Sequence, residues 1–180
     1  MRRTSSAPTG VERYFDTDEL IVSKTDPKGI ITYANDVFMR ISAYTEEELI
    51  GQPHNIIRHP AMPRSVFRLL WDTIQAGQEI FAYINNLAVD CAHYWVFAHV
   101  TPSYDPAGQL VGYHSNRRVP ERDAVVEAAA LYSTLCEVEA RYPKPADAIA
   151  AGMEEFAGRL GRIGQSYDQF VWGLTRQTRA

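Results

Sequence analysis

Three β-type runs follow one another in residues 79–119 with only a few residues between them. They read EIFAYINNLAV, HYWVFAHVTPSYD and LVGYHSNRRV, and they are connected by DCA and by the turn DPAGQL. Side chains alternate between the two faces of a strand, and connections this short join antiparallel neighbours. The sequence therefore predicts an antiparallel meander of three strands in this part of the chain.

Two further strands and several short helices precede the meander. IVSKTD and GIITYAN flank the turn DPKG, whose proline and glycine favour a hairpin. Asn35 is placed to cap a helix over DVFMRISAY, and Thr45 and Glu48 form a capping-box pattern around the next helix. Pro63 opens a longer helix that Gly77 ends. This order predicts an α+β fold, in which helices cover one face of a single sheet and a pocket lies between the layers.

The composition divides the chain into three parts. Residues 1–18 are polar and are predicted to form a flexible segment and a short helix, residues 19–119 hold the sheet, and residues 120–180 are strongly helical. The last part has apolar side chains at alternating spacings of 4 and 3 residues, namely Ile149, Met153, Phe156, Leu160, Ile163, Tyr167, Phe170 and Leu174. Such a heptad seam buries a stripe against another helix. It indicates either packing on the chain's own domain or a homodimer contact through a helical bundle.

Charge and cysteine usage argue against several classes of function. A net charge of −4 gives no indication of nucleic-acid binding. Cys91 and Cys136 form no CxxC pair, which argues against zinc and against a disulfide framework and fits a reducing compartment. No apolar run approaches the length of a membrane span, and the first residues lack the apolar core of a signal peptide. We therefore expect a cytoplasmic protein that does not insert into the membrane.

Residues 21–118 resemble a PAS domain, specifically the flavin-binding PAS domain of Aer-type aerotaxis and energy-taxis receptors. The resemblance is carried by ITYANDVFMRISAYTEEELIGQPHNIIRHPAMPRSVFRLLW, HYWVFAHVTP and GYHSNRR, and GQPHN..RHP.MP is its most specific part. It implies a PAS fold with a five-stranded antiparallel sheet and helices on one face, here followed by a C-terminal α-helical extension. It also implies non-covalently bound FAD whose redox state is the signal, in a domain that catalyses nothing. With no membrane anchor in the sequence, the expected signalling partner is a separate protein, such as a chemoreceptor or a kinase component.

Two asparagines in the middle of a predicted strand are candidate cofactor ligands. Asn is disfavoured there, and because side chains alternate between faces, either Asn85 or Asn86 points inward. A buried amide without a partner costs about 1–3 kcal/mol, and the polar edge of a flavin would supply that partner. The resemblance aligns Asn86 with the family's asparagine. Trp71 is expected to lie against the flavin ring or the adenine, with Phe67 on the same helix, and core packing is the alternative.

The remaining candidate residues lie in and near GQPHNIIRHPAMP, residues 51–63, which is called the histidine-rich motif below. Arg58 and His59 are expected at the mouth of the pocket, on a short segment bounded by prolines. Arg58 can bind the pyrophosphate or the ribityl oxygens, and His59 either contacts the flavin or ties the segment to the sheet. His54 and Asn55 are further candidates. Asn35 matches a family position that lines the pocket, although helix capping explains it equally well.

Two departures from the family pattern leave the identity of the cofactor open. Ala61 stands where the family has an acidic residue, and the segment LAVDCA lacks the basic residues and glycine of the family's hairpin. A haem-binding gas sensor is one alternative to FAD, since the chain offers five histidines as axial ligands. A cofactor-free PAS module for dimerisation or docking is another. FMN is not distinguished from FAD by these residues.

The sequence gives little support for catalysis or for metal binding. We expect no enzyme, because there is no activated Ser or Cys, no paired carboxylates and no phosphate-binding loop. A light-driven cysteinyl adduct is disfavoured because the segment NIIRHP contains no cysteine. His54 and His59 are five residues apart, which is not a usual spacing for metal ligands on a helix.

Overall fold

A computed structural model describes residues 7–176 and contains one five-stranded antiparallel sheet. The strands lie in the order β2-β1-β5-β4-β3, which confirms the predicted hairpin, the predicted meander and the α+β class. Their bounds are β1 Ile21–Thr25, β2 Ile31–Ala34, β3 Ile80–Leu87, β4 His93–Tyr104 and β5 Leu110–Arg118. The first and last strands of the fold are therefore neighbours, since β1 pairs with β5.

Short helices cover one face of the sheet, as predicted. They are α1 Asp36–Ser42, α2 Glu46–Leu49, a 3-10 turn at His54–Ile57 and α3 Arg64–Gln75. The side chain of Asn35 caps α1 by accepting from the Phe38 N–H. Thr45 and Glu48 form the complete capping box of α2. These local signals fix where each helix begins, and the short connections then hold the helices close to the sheet.

Strand register assigns each side chain to one of two faces. Asn86 on β3 and Arg117 on β5 face α1–α3, and this face is called the inner face below. Phe81 and Phe97 face the other way, onto what is called the outer face. Because the pairing is antiparallel and nearly regular, each strand contributes every second residue to the inner face.

Three helices follow the sheet: α4 Arg122–Glu139, α5 Pro145–Ile163 and α6 Tyr167–Arg176. The heptad seam is divided between two helices, because α5 ends at Gly164, which adopts a left-handed conformation with φ 66°. Glycine takes this conformation without steric cost, so the chain turns there and α6 starts afresh. Phe156 and Leu174 are buried on the chain's own domain, whereas Ile163 is 53% exposed.

The C-terminal helices close the free edge of the sheet. The Tyr132 hydroxyl on α4 donates to the Tyr83 carbonyl at 2.7 Å, and the Tyr167 hydroxyl on α6 donates to the Phe81 carbonyl at 2.8 Å. Trp172 on α6 lies 4.7 Å from the Phe81 ring centre, on the outer face. The heptad seam thus packs on the chain's own domain, around β3, which is one of the two predicted alternatives.

The short helix predicted before residue 18 is absent from residues 7–18, which run extended. The Arg13 N–H donates to the His93 carbonyl, and the His93 N–H donates to the Val11 carbonyl. These bonds to the start of β4 satisfy the backbone in place of helical bonds. The predicted flexible start at residues 1–6 lies outside the described residues. Within residues 7–176 no helix is both long and apolar enough to cross a bilayer.

Candidate functional site

A cavity lies between the inner face of the sheet and the helical layer. Its volume is about 170 Å³, and it opens to solvent on one side. Lys28, Pro53 and Asn55 are exposed and mark the mouth, between the β1–β2 turn and the 3-10 turn. The interior is not filled by side chains and is open at its mouth, which leaves room for a small planar group.

The charge of the cavity is opposite to that of the chain. Its lining includes three cationic side chains, Lys28, Arg58 and Arg117. No carboxylate belongs to the lining among the described residues, although the chain carries a net charge of −4. The rest of the lining is mostly apolar. Such a cavity favours a ligand with an apolar body and negative charge or exposed oxygens.

Asn86 faces into this cavity, as the resemblance implied. Its side chain is 4% exposed, and its Nδ2 has no hydrogen-bond partner among the described residues. An unpaired buried amide of this kind costs about 1–3 kcal/mol, so a ligand oxygen placed against it would remove that cost. The backbone of Asn86 also forms an isolated bridge with Arg58, which holds the histidine-rich motif against β3.

Arg117 is the residue that the sequence reasoning missed. Arg117 is 2% exposed. Its guanidinium donates through Nε to the Ser115 Oγ at 3.1 Å and through Nη2 to the Ser23 Oγ, and its Nη1 has no partner among the described residues. Burial lowers the pKa of Arg117 to about 10, so the group still carries its charge at neutral pH. The guanidinium carbon lies over the Phe38 ring, 4.6 Å from its centre. The signal was available, because β5 places Tyr113, Ser115 and Arg117 at alternate positions on the inner face.

His54 lies beside Arg117 in the cavity wall. Its Nε2 is 3.0 Å from the Ser23 Oγ and 3.3 Å from Arg117 Nη2, and its ring stacks on Phe38 at 6.0 Å. Burial, with a smaller effect of the Arg117 charge, lowers the pKa of His54 to about 3. The imidazole is therefore neutral at physiological pH and acts as an acceptor or donor of a fixed hydrogen bond.

Two aromatic side chains of α3 form the wall opposite the sheet. Trp71 meets Tyr113 edge to face at 5.7 Å and packs on the β1–β2 turn, where a Cβ at Gly29 would lie 2.7 Å from the indole. The Arg58 guanidinium lies over the Phe67 ring, with its carbon 4.5 Å from the ring centre. Both rings line the cavity, so both can contact a planar ligand while they also belong to the core.

Arg58 is held more tightly than its expected role at the mouth suggests. Its Nη2 donates to the Met62 carbonyl at 2.8 Å, and burial lowers the pKa of Arg58 below its ordinary value. Asn55, by contrast, is exposed at the mouth. Both line the cavity.

Three predicted site residues lie outside the cavity. The Asn35 amide has partners on both its oxygen and its nitrogen, because Oδ1 accepts from the Val22 and Phe38 N–H groups and Nδ2 donates to the Leu20 carbonyl. His59 faces His93 at 5.8 Å and accepts from the Ala61 N–H, which fits the alternative that it ties the motif to the sheet. Asn85 points to the outer face by strand alternation, so only Asn86 of the pair reaches the cavity.

The residues present fit a flavin in their polarity and shape. Two buried N–H donors, on Asn86 and Arg117, have no partner within the described part of the chain, and a flavin ring edge presents carbonyl oxygens and ring nitrogens. The rings of Phe67 and Trp71 lie against the same space, and the exposed Lys28 stands at its mouth. These are the requirements of a planar ring with an anionic chain.

The sequence matches a family described as the PAS fold over residues 21–115, which is more than half of the chain. The chain belongs to the PAS family. This PAS domain is 37% identical over 118 residues to the aerotaxis receptor of Escherichia coli, covering 66% of this chain and 23% of that protein. It is 31% identical over 97 residues to the nitrogen fixation regulatory protein of Klebsiella pneumoniae, covering 54% and 20%. The chain thus spans about a fifth to a quarter of these curated relatives.

Solved structures support the same fold for this PAS chain. The light-state structure of the blue-light photoreceptor Aureochrome1 LOV superposes with a TM-score of 0.55 at 16% identity and covers 63% of this chain and 90% of that one. At this level of identity the likeness concerns the fold alone.

Proposed function

We propose that this PAS domain binds FAD non-covalently and reports redox state or oxygen, in the cytoplasm, to a partner protein through its C-terminal helices. One observation carries the proposal: Asn86 and Arg117, which both line one mostly apolar cavity, each have a buried N–H donor without a partner among the described residues. The likeness to an aerotaxis receptor points in the same direction. When bound, FAD would supply reversible electron-transfer chemistry.

The polar residues of the cavity have separable roles in this proposal. Asn86 donates to the polar edge of the ring and fixes its orientation. Arg117 stabilises negative charge on the ring, because a buried guanidinium acts in a medium of low dielectric constant. Trp71 and Phe67 exclude water from the ring. Lys28, exposed at the mouth, is the cation positioned for a phosphate, and Arg58 contributes its charge from further inside.

The same geometry argues against hydrolytic chemistry. Ser23 and His54 lie within hydrogen-bonding distance, which by itself suggests a nucleophile and a base. However, the Arg117 guanidinium donates to the same serine oxygen, and the pKa of His54 is lowered to about 3. A base this weak does not take up a proton at neutral pH. We therefore propose a sensor and not an enzyme.

The proposed partners follow from the helices and from the relatives. A chemoreceptor or a kinase component is the proposed receiver, and a homodimer through residues 120–180 is the proposed assembly. The biofilm dispersion protein BdlA of Pseudomonas aeruginosa, 28% identical over 87 residues, is a further relative of the sensor part. Residues 19–119 are then the sensor and residues 120–180 the output.

An absorption spectrum of the purified chain tests the proposal. We expect a yellow protein with flavin absorption in the blue, whose pigment is released by heat or acid and identified as FAD by chromatography. A red protein with a sharp Soret band would assign haem instead. A colourless protein that takes up neither added FAD nor added haem would leave the cofactor-free docking module.

A further inference from the structure

The N-terminus of α3 is capped by a residue from a distant helix. Pro63, the residue before α3, provides no side-chain cap, and the first turn of α3 carries no acidic residue. Instead, Glu139 in the last turn of α4 accepts from the Arg64 N–H at 2.9 Å, the Ser65 N–H at 2.8 Å and the Ser65 Oγ at 2.7 Å. A carboxylate at this position satisfies unpaired N–H groups and opposes the helix dipole.

The carboxylate is enclosed by a third helix. Glu139 is only 9% exposed, and a Cβ at Gly152 of α5 would lie 2.8 Å from its Oε1 and 2.8 Å from the Ser65 Oγ. A glycine is therefore required for α5 to approach this closely. Three helices meet at Ser65, Glu139 and Gly152, and this contact is called the three-helix junction below.

The junction is connected to the cavity by two short paths. Helix α3, whose first turn is capped, carries the cavity-lining rings of Phe67 and Trp71. One turn before Glu139, the Cys136 Sγ donates to the Ala61 carbonyl at 3.3 Å, in the segment that follows Arg58. Both the aromatic wall and the histidine-rich motif are thus fastened to the end of α4.

We propose that Glu139 is a positioning residue for the cofactor site, so that cofactor binding and the docking of α4 and α5 stabilise each other. The inference rests on the proposed function and adds the contact that links the sensor to the output. It follows from linkage: if docked helices fix α3 in its binding position, an occupied cavity must favour docked helices by the same factor. The C-terminal helices are then part of the binding site and not an appended module.

Matched substitutions on α4 test this inference in the full chain. Glu139→Gln removes the charge at the junction, and Glu137→Gln makes the same change on the exposed face two residues earlier. The measurements are the FAD dissociation constant, well below the unfolding temperature, and the hydrogen-exchange protection that FAD confers on residues 122–163. We expect Glu139→Gln to weaken binding by about tenfold and to reduce that protection, with Glu137→Gln behaving as wild type.

A second variant covers the case in which Glu139→Gln does not fold. Gly152→Ala leaves the carboxylate in place and forces α5 away from it, and we expect weaker FAD binding and lower protection of α5. A purely structural role would lower the unfolding temperature of these variants while leaving FAD affinity and FAD-induced protection unchanged, and that result overturns the inference. If wild type itself binds no FAD, the proposed function fails and this linkage fails with it.

Discussion

The guanidinium of Arg117 lies 4.6 Å from the centre of the Phe38 ring, and no carboxylate is bonded to it within the described chain. A fully buried charge is thus stabilised by an aromatic face, two serine hydroxyls and a neutral imidazole. These contacts offset only part of the cost of removing the charge from water. A position with this arrangement is suited to a ligand and poorly suited to a free cavity.

Replacing Arg117 separates ligand binding from stability. We expect Arg117→Met to raise the free energy of unfolding of the cofactor-free protein by about 1–2 kcal/mol, because an unpaired buried charge is removed. The same variant should bind FAD more weakly than wild type. Urea unfolding and FAD titration measure the two effects, and Arg118→Met on the exposed neighbour is the control. A variant that loses both stability and binding would contradict this role.

The adjacent asparagines of β3 make an internal comparison. Asn86→Ala should weaken FAD binding by about 10- to 100-fold, since it removes a donor buried in the cavity. Asn85→Ala should leave binding unchanged, because that side chain lies on the outer face. Isothermal titration of the two variants decides the matter. An equal loss of FAD affinity in both variants would contradict the prediction, because it would show that the substitutions act by disturbing β3 and not by removing the Asn86 donor.

Lys28 is expected to distinguish phosphorylated from unphosphorylated flavin. Lys28→Ala should lower the affinity for FMN about two- to fivefold while leaving the affinity for riboflavin unchanged, as befits an exposed charge. Lys24→Ala is the control, because Lys24 is exposed on the outer face of the same hairpin, near Tyr33. The FMN-to-riboflavin affinity ratio is the readout, and added salt should lower it in wild type and in Lys24→Ala but not in Lys28→Ala.

His54 gives the protein an acid-sensitive stability. Its pKa falls from 6.5 to about 3 on folding, so between these values the unfolded state holds a proton that the folded state lacks. Stability is therefore complete above about pH 6.5 and declines as the pH falls, by up to about 1.4 kcal/mol per pH unit. His54→Gln should flatten the curve between pH 7 and 5, a range in which carboxylates contribute little. Parallel curves for the two proteins would contradict the burial of a neutral imidazole.

Local signals in the sequence predicted the fold well. Asn35 and Thr45 each specify a helix start through side-chain contacts within a few residues, Pro63 does so through its fixed φ, and the short turns left little choice of strand pairing. The alternation of β3 likewise required one asparagine to face inward. Which of the two did so was indicated by the resemblance, and strand pairing with β4 then fixed it.

The remaining features depend on contacts between distant segments. His59 and His93 are 34 residues apart, and the Glu139 cap spans more than 70 residues, so neither contact has a local signature. Arg117 was missed because an arginine on a strand suggests a solvated side chain, although its alternation with Tyr113 and Ser115 places it on the inner face. The heptad spacing runs through Gly164 without interruption, so the apolar pattern does not show that α5 ends there.

The hydroxyls of Tyr132 and Tyr167 donate to the carbonyls of Tyr83 and Phe81 and thereby cover the edge of the sheet at β3. A strand at the margin whose carbonyls are bare is a template for a strand of another molecule. If α4 and α6 swing away when the domain changes state, two such carbonyls are uncovered at once. While the helices are displaced, two molecules can associate through their uncovered β3 strands. Rapid re-docking of the helices therefore also protects solubility.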